Sequence, residues 1–144
     1  MKKTSNQKNP YRLSGNIEPI IYSILLKPDF EDFTFSGEEI IDVKIADKTK
    51  EITLHALDLE IDNISIEQNS EKLAPFKISF NKKFETITFK FEEDICSGDA
   101  SIKLAFKGAL NDKLHGFYRT SYEVDGKKMW GASTHFEATD ARRA

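Results

Sequence analysis

From Tyr11 onward, apolar and polar residues alternate with a period of two instead of following the 3.6-residue period of a helix. In Phe33-Thr34-Phe35-Ser36-Gly37-Glu38-Glu39-Ile40-Ile41-Asp42-Val43-Lys44-Ile45, the apolar Phe33, Phe35, Ile41, Val43 and Ile45 share one parity. Thr34, Ser36, Glu38, Asp42 and Lys44 share the other. Successive side chains of a strand point to opposite faces, so this segment predicts a half-buried strand. The same alternation recurs in 84–91, where Ile87, Phe89 and Phe91 would face a core, and in 101–107, where Ile102, Leu104 and Phe106 would do so. Two further runs, Pro19 to Leu26 and Glu51 to Ile61, are apolar enough for burial on both faces.

Turn signals punctuate these runs at Lys27-Pro28-Asp29, Ala46-Asp47-Lys48-Thr49, Asn81-Lys82-Lys83 and Ser97-Gly98-Asp99. Asp125-Gly126 is the sharpest and predicts a hairpin joining Tyr118–Val124 to Lys127–Ala132. About eight to ten short, closely spaced strands and no convincing amphipathic helix point to an all-β chain, an antiparallel β-sandwich or curved sheet. Residues 1 to 10 are polar, end at Pro10 and are expected to form a disordered tail; no composition shift places a domain boundary inside 11–144. The 11 phenylalanines mostly take the inward parity, which suits core better than a ligand platform.

Composition narrows the setting. A chain of 144 residues supports one ordinary core. Its 21 basic and 24 acidic residues are interleaved, with a formal net charge of −3, so no basic stripe tracks a phosphate backbone and nucleic acid is not an expected partner. No window approaches the roughly 18 apolar residues of a spanning helix, so no membrane location is expected. The one cysteine, Cys96, cannot form an internal disulfide, and Met1 to Asn9 lack the apolar stretch of a secretory signal. A cytoplasmic setting is the expectation.

Candidate chemistry is sparse. His55, His115 and His135 do not stand three or four residues apart, and there is no HExxH, CxxC pair or clustered acidic loop to hold a metal. His55, in Leu54-His55-Ala56-Leu57, and His115 are expected to be structural. Cys96 has no electropositive neighbour in sequence that would activate a thiolate. No GxSxG elbow and no phosphate-cradling glycine pattern occurs, so no catalytic residue is assigned. Glu137 and His135 share one parity and could point into a common space, or Glu137 could pair with Arg142 or Arg143 at a sheet edge. Spacing leaves both readings open.

Five segments carry a resemblance to a known family. Tyr11-Arg12-Leu13 followed by Pro19, then Phe35-Ser36-Gly37, then Leu54-His55-Ala56-Leu57-Asp58-Leu59, then Leu110 to Arg119 with His115-Gly116-Phe117-Tyr118-Arg119 at its end, and finally Thr134-His135-Phe136-Glu137-Ala138-Thr139-Asp140-Ala141-Arg142-Arg143-Ala144, occur in the order found in the amino-terminal domain of zinc aminopeptidases. The chain resembles that domain in the family of aminopeptidase N, puromycin-sensitive aminopeptidase, leukotriene hydrolase and the tricorn-interacting factors, from Tyr11 to Ala144.

The resemblance implies a curved, saddle-like β-sandwich that packs on a separate catalytic domain bearing the HExxH zinc site, a GxMEN segment and a transition-state tyrosine, none of which occurs in these residues. It implies that the sequence stops before the domain's last strands, so that 11–144 is an incomplete domain whose missing catalytic domain belongs to the same polypeptide. Zinc would belong to that parent enzyme, and the isolated chain would be inactive and prone to self-association. By the same resemblance, Glu137 accepts hydrogen bonds from the free α-ammonium of a peptide substrate. His135 occupies a position commonly Gln that lines the pocket for the first side chain, and Arg142 and Arg143 brace the segment. The alternative is a stand-alone β-sandwich that binds peptides or glycans or serves as a scaffold.

Overall fold

A computed structural model describes residues 11–137 and 139–144; segment 1–10, expected as a disordered tail, lies outside the described residues. Among the described residues ten strands follow one another: β1 (Ile17–Asp29), β2 (Thr34–Ile45), β3 (Thr49–His55), β4 (Leu59–Gln68), β5 (Glu71–Leu73), β6 (Lys77–Asn81), β7 (Thr86–Ile95), β8 (Gly98–Ala109), β9 (Gly116–Val124) and β10 (Lys127–His135). A 3-10 turn at Asp140–Arg143 follows β10. The strands form a five-stranded sheet in the order β1-β2-β8-β4-β5, a three-stranded sheet β3-β7-β6 and the β9-β10 ribbon. Every strand pairing is antiparallel, as the period-two pattern predicts.

The three alternating segments are β2, β7 and β8, and their apolar parity builds the core. Ile41, Val43, Ile102 and Phe106 of the larger sheet and Ile52, Ile87, Phe89 and Phe91 of the smaller one lie in one buried cluster. The two sheets therefore pack face to face as a sandwich. Each fully buried Ile or Phe contributes about 1.5–3 kcal/mol relative to its exposed state, which makes this layer the main stabilising term.

At the heart of the layer, Phe35 lies directly opposite Gly108 and Gly37 opposite Phe106. Each ring folds over the glycine of the other strand, so that a Cβ at Gly37 would run into the Phe106 ring and one at Gly108 into the Phe35 ring. The two rings meet edge to face at 6.3 Å. Two Phe-x-Gly triplets in antiparallel register thus form a reciprocal interlock.

Departures from the expected pattern have physical causes. The Pro19–Leu26 run is not buried on both faces: it lies in β1, at the edge of the five-stranded sheet, with Ile20, Ile21, Tyr22, Ile24 and Leu25 all exposed. Apolar density forecast a strand, but the smaller sheet opposite does not cover that edge. Glu51–Ile61 is not one buried strand either, because it crosses from β3 in one sheet to β4 in the other. Ile52 enters the core, whereas Leu54, Leu59 and Ile61 are partly buried against it.

Lys27-Pro28-Asp29 is paired strand and not turn, with Pro28 opposite Phe35. An edge strand tolerates the missing N–H of proline. The turn comes just afterwards, where the Asp29 carboxylate accepts the amides of Glu31 and Asp32 at 2.8 and 3.2 Å. Phe33 leaves the strand parity there, with φ at 52°. The predicted hairpin is present: Val124 pairs with Lys127 across Asp125 and Gly126, whose φ values of 50° and 72° are those of a type I′ turn.

Glu39 occupies the inward parity of β2, between Gly37 and Ile41 and opposite Leu104. Burial pushes its carboxyl up to about 7 from the ordinary 4.5. The folded chain therefore holds this proton more tightly than the unfolded chain, and the contribution of Glu39 to stability falls as pH rises from about 4.5 to 7. Glu39→Gln is expected to be more stable than the parent above pH 7, by about 1–2 kcal/mol because the side chain is partly open to water, with the difference vanishing at acid pH. Urea titrations at three pH values measure it. For the interlock, Gly37→Ala is expected to cost about 1–3 kcal/mol. Adding Phe106→Leu should cost less than the sum of the single changes, a non-additivity read in the same titrations.

Candidate functional site

The candidate segment hangs from the β9-β10 ribbon, whose base is fixed to the sandwich. Phe117 of β9 is buried and meets Phe35 edge to face at 5.1 Å. Arg119 donates to the carbonyl of Leu110 at 2.6 Å and stacks over Phe33 at 4.4 Å, while Phe33 meets Trp130 of β10 at 4.8 Å. The guanidinium and the two rings tie both strands of the ribbon to the β1-β2 turn. The ribbon ends where His135 pairs with Gly116.

Beyond His135 the chain leaves the strand through Phe136 and Glu137, and the amide of Asp140 donates back to the Glu137 carbonyl at 3.0 Å. Arg142 and Arg143 then return the chain to the sandwich. The carbonyl of Arg142 accepts the Leu57 amide at 2.8 Å, and its guanidinium reaches Glu85 at 2.8 Å with a side chain only 12% exposed. Arg143 pairs with Asp58 and Asp140, and its side chain lies so close over Gly116 that a Cβ there would collide with it.

His135 and Glu137 meet. The imidazole Nε2 stands 3.4 Å from the Glu137 carboxylate, an ion pair when the ring carries its second proton. The Glu137 side chain is 82% exposed. Of the two arrangements left open by spacing, the side chains share a common space, and the arginines turn to Glu85 and Asp58 instead. An exposed carboxylate beside a hydrogen-bonding ring offers two acceptor oxygens to a cationic donor from solvent.

His55 and His115 lie elsewhere, on β3 and before β9, and each buries an Nδ1 that has no hydrogen-bond partner among the described residues. Burial, then the charge of Arg142, holds the pKa of His55 below the ordinary value. Among the described residues no group of three or more His, Cys, Asp or Glu could hold a metal ion. Cys96 is exposed, and its turn is pinned by Gln68, which donates to the Cys96 carbonyl and accepts its amide. No helix among the described residues is long and apolar enough to cross a membrane.

Sequence reasoning missed Glu85 and Asp58 as partners of the arginines. Glu85 shares the parity of the core-facing Ile87 and Phe89 but had no chemistry assigned to it, and Asp58 stood inside a motif with no assigned chemistry. Both adopt left-handed backbone, at φ 54° and 57°, in turns that only the folded chain brings beside residue 142.

The family model described as Peptidase M1 N-terminal domain matches residues 18–144. Aminopeptidase 2 of Candida albicans is 43% identical over 133 residues, 92% of this chain and 14% of that protein. Aminopeptidase M1 of Arabidopsis thaliana is 38% identical over 140 residues, covering 94% of the chain and 16% of the relative. The puromycin-sensitive aminopeptidase of Caenorhabditis elegans is 35% identical over 135 residues, covering 92% and 14%. The chain thus spans 14 to 16% of the length of these curated relatives.

The lowered pKa of His55 sets a pH dependence. The unfolded chain takes up this proton more readily than the folded chain, so the stability His55 contributes is present above its ordinary value of 6.5 and is lost as pH falls toward the folded value. His55→Gln is expected to flatten the decline in denaturation midpoint as pH falls below about 6.5. An unchanged slope would contradict the assignment.

Proposed function

The chain belongs to the peptidase M1 N-terminal domain family, and from that premise we propose that it is the substrate-anchoring amino-terminal part of a zinc-dependent aminopeptidase that removes single residues from free peptide amino termini. The observation that carries the proposal is the carboxylate of Glu137, exposed, clear of both arginines, and standing beside His135 at the end of a braced segment. The aminopeptidase names of the relatives support the reaction class.

In this reading Glu137 binds the α-ammonium. A primary ammonium offers three donors and a full charge to a carboxylate, and such a charge-assisted bond is worth roughly twice a neutral one. An acylated amino terminus or an internal peptide bond lacks that donor set, so the carboxylate selects for free termini by leaving itself unpaired against anything else. His135 lines the pocket for the first side chain with a flat ring that both donates and accepts, where the wider family commonly has Gln. Zinc and the residues that hold it lie in a catalytic domain of the same polypeptide, and 11–144 is an incomplete part of the amino-terminal domain.

A cytoplasmic setting belongs to the same proposal, supported by the one cysteine, which has no partner for an internal disulfide. In isolation the chain self-associates, a reading supported by the long edge of β1 and its five exposed apolar side chains from Ile20 to Leu25.

In the full-length enzyme, Glu137→Gln is expected to lower kcat/KM for aminoacyl substrates about 10- to 100-fold, chiefly through KM, because a hydrogen bond to a charged group contributes about 1.5–3 kcal/mol. Steady-state kinetics with aminoacyl fluorogenic substrates measure this. An unaltered kcat/KM would sink the anchoring role.

A further inference from the structure

Two consecutive arginines, Arg142 and Arg143, are each met by an acidic residue held in left-handed backbone. Glu85, at φ 54°, gives its carboxylate to Arg142, and Asp58, at φ 57°, gives its carboxylate to Arg143. Side chains with a Cβ reach this region only at a cost of order 1 kcal/mol or more, which the surroundings must offset. Here both strained residues lie at the ends of strands that flank the same junction, Glu85 just before β7 and Asp58 just before β4. The junction is closed by backbone as well: the Ala56 amide donates to the Glu85 carbonyl at 2.9 Å and the Leu57 amide to the Arg142 carbonyl at 2.8 Å. Segment 56–58, the turn at Glu85 and the Asp140–Arg143 turn are thereby locked together.

The far end of the same short segment carries Glu137, whose carbonyl accepts the Asp140 amide. Fixing the Asp140–Arg143 turn therefore fixes where the Glu137 backbone leaves β10. Sheets supply rigid frames, and a group that must meet a substrate atom works only when the shell behind it holds its position.

We propose that Glu85 and Asp58 are positioning residues for Glu137: by clasping Arg142 and Arg143 they hold its carboxylate at the place where a substrate ammonium arrives, and neither touches substrate itself. The inference rests on the anchoring role of Glu137 and deepens it. Glu85 carries the larger share, because its partner Arg142 is 12% exposed whereas the Asp58 side chain is 72% exposed, and exposed ion pairs contribute little.

The test is a double-mutant cycle in the full-length enzyme, with Glu85→Gln, Asp58→Asn, Glu137→Gln and the Glu85→Gln/Glu137→Gln pair, all assayed for KM and kcat on an aminoacyl fluorogenic substrate. Asn is at ease in left-handed backbone, so Asp58→Asn removes charge without adding strain, and it guards against a failure to fold. Glu85→Gln is expected to raise KM about 3- to 30-fold with kcat little changed, and Asp58→Asn less. Once Glu137 is gone there is nothing left to position, so the double variant should match Glu137→Gln alone. Additive losses, or a KM unmoved in Glu85→Gln while Glu137→Gln raises it, would overturn the positioning role. If Glu137→Gln itself leaves KM unchanged, the anchoring role falls and this inference falls with it.

Discussion

The apolar layer between the five-stranded and three-stranded sheets is the constraint on which the other features depend. Ile102 and Phe106 of β8 and Phe89 and Phe91 of β7 are within 2% of complete burial. Close packing allows little slack there, so the register of β2 against β8 is set by which side chains face inward. A slip by one residue would turn Ile41, Val43 and Ile45 to solvent and would also separate the two Phe-x-Gly triplets. The interlock of Phe35 with Gly108 and of Phe106 with Gly37 thus fixes the register through shape as well as through hydrophobicity.

From that layer the structure reaches outward in two arms. One passes from Phe35 to Phe117 and holds the base of the β9-β10 ribbon. The other passes from the strand ends at Ala56–Asp58 and Glu85 to Arg142 and Arg143. His135 belongs to the first arm and the Asp140–Arg143 turn to the second, with Phe136 and Glu137 between them. A segment held at both ends by different sheets has fewer conformations than a free loop, which lowers the ordering cost of any ligand that meets it.

Much of this was legible in the sequence because strand periodicity is a local property. Ile41, Val43 and Ile45, Ile87, Phe89 and Phe91, and Ile102, Leu104 and Phe106 were all placed inward by parity and are buried. Asp125-Gly126 specified its own turn chemistry. What depends on the neighbour of a strand could not be read in this way. β1 has the composition of an interior strand and is an edge, since nothing local tells a strand whether a second sheet covers it. Glu39 carries the inward parity of β2 although it is a carboxylate, and Phe33 breaks its own parity at a turn. At the candidate site, spacing left open whether Glu137 meets His135 or an arginine, and Glu85 lies 57 residues from Arg142 and became its partner only through the β3-β7 pairing.

The distribution of charge over residues 137–143 bears on why Glu137 would suit the anchoring role proposed for it. Four charged residues, Glu137, Asp140, Arg142 and Arg143, lie within seven positions, and a short loop could neutralise Glu137 against either arginine. Both arginines are instead committed to carboxylates from other parts of the fold, and the carboxylate left over meets an imidazole at 3.4 Å on an open surface. An exposed contact of that kind is worth little, so under the proposed role an arriving ammonium would lose almost nothing in displacing it. Had Arg142 paired with Glu137, the incoming cation would have had to break a charge-assisted bond and leave a guanidinium unpaired. By committing their carboxylates to the arginines, Glu85 and Asp58 leave Glu137 as the exposed acid of the segment, which is what the proposed anchoring role requires.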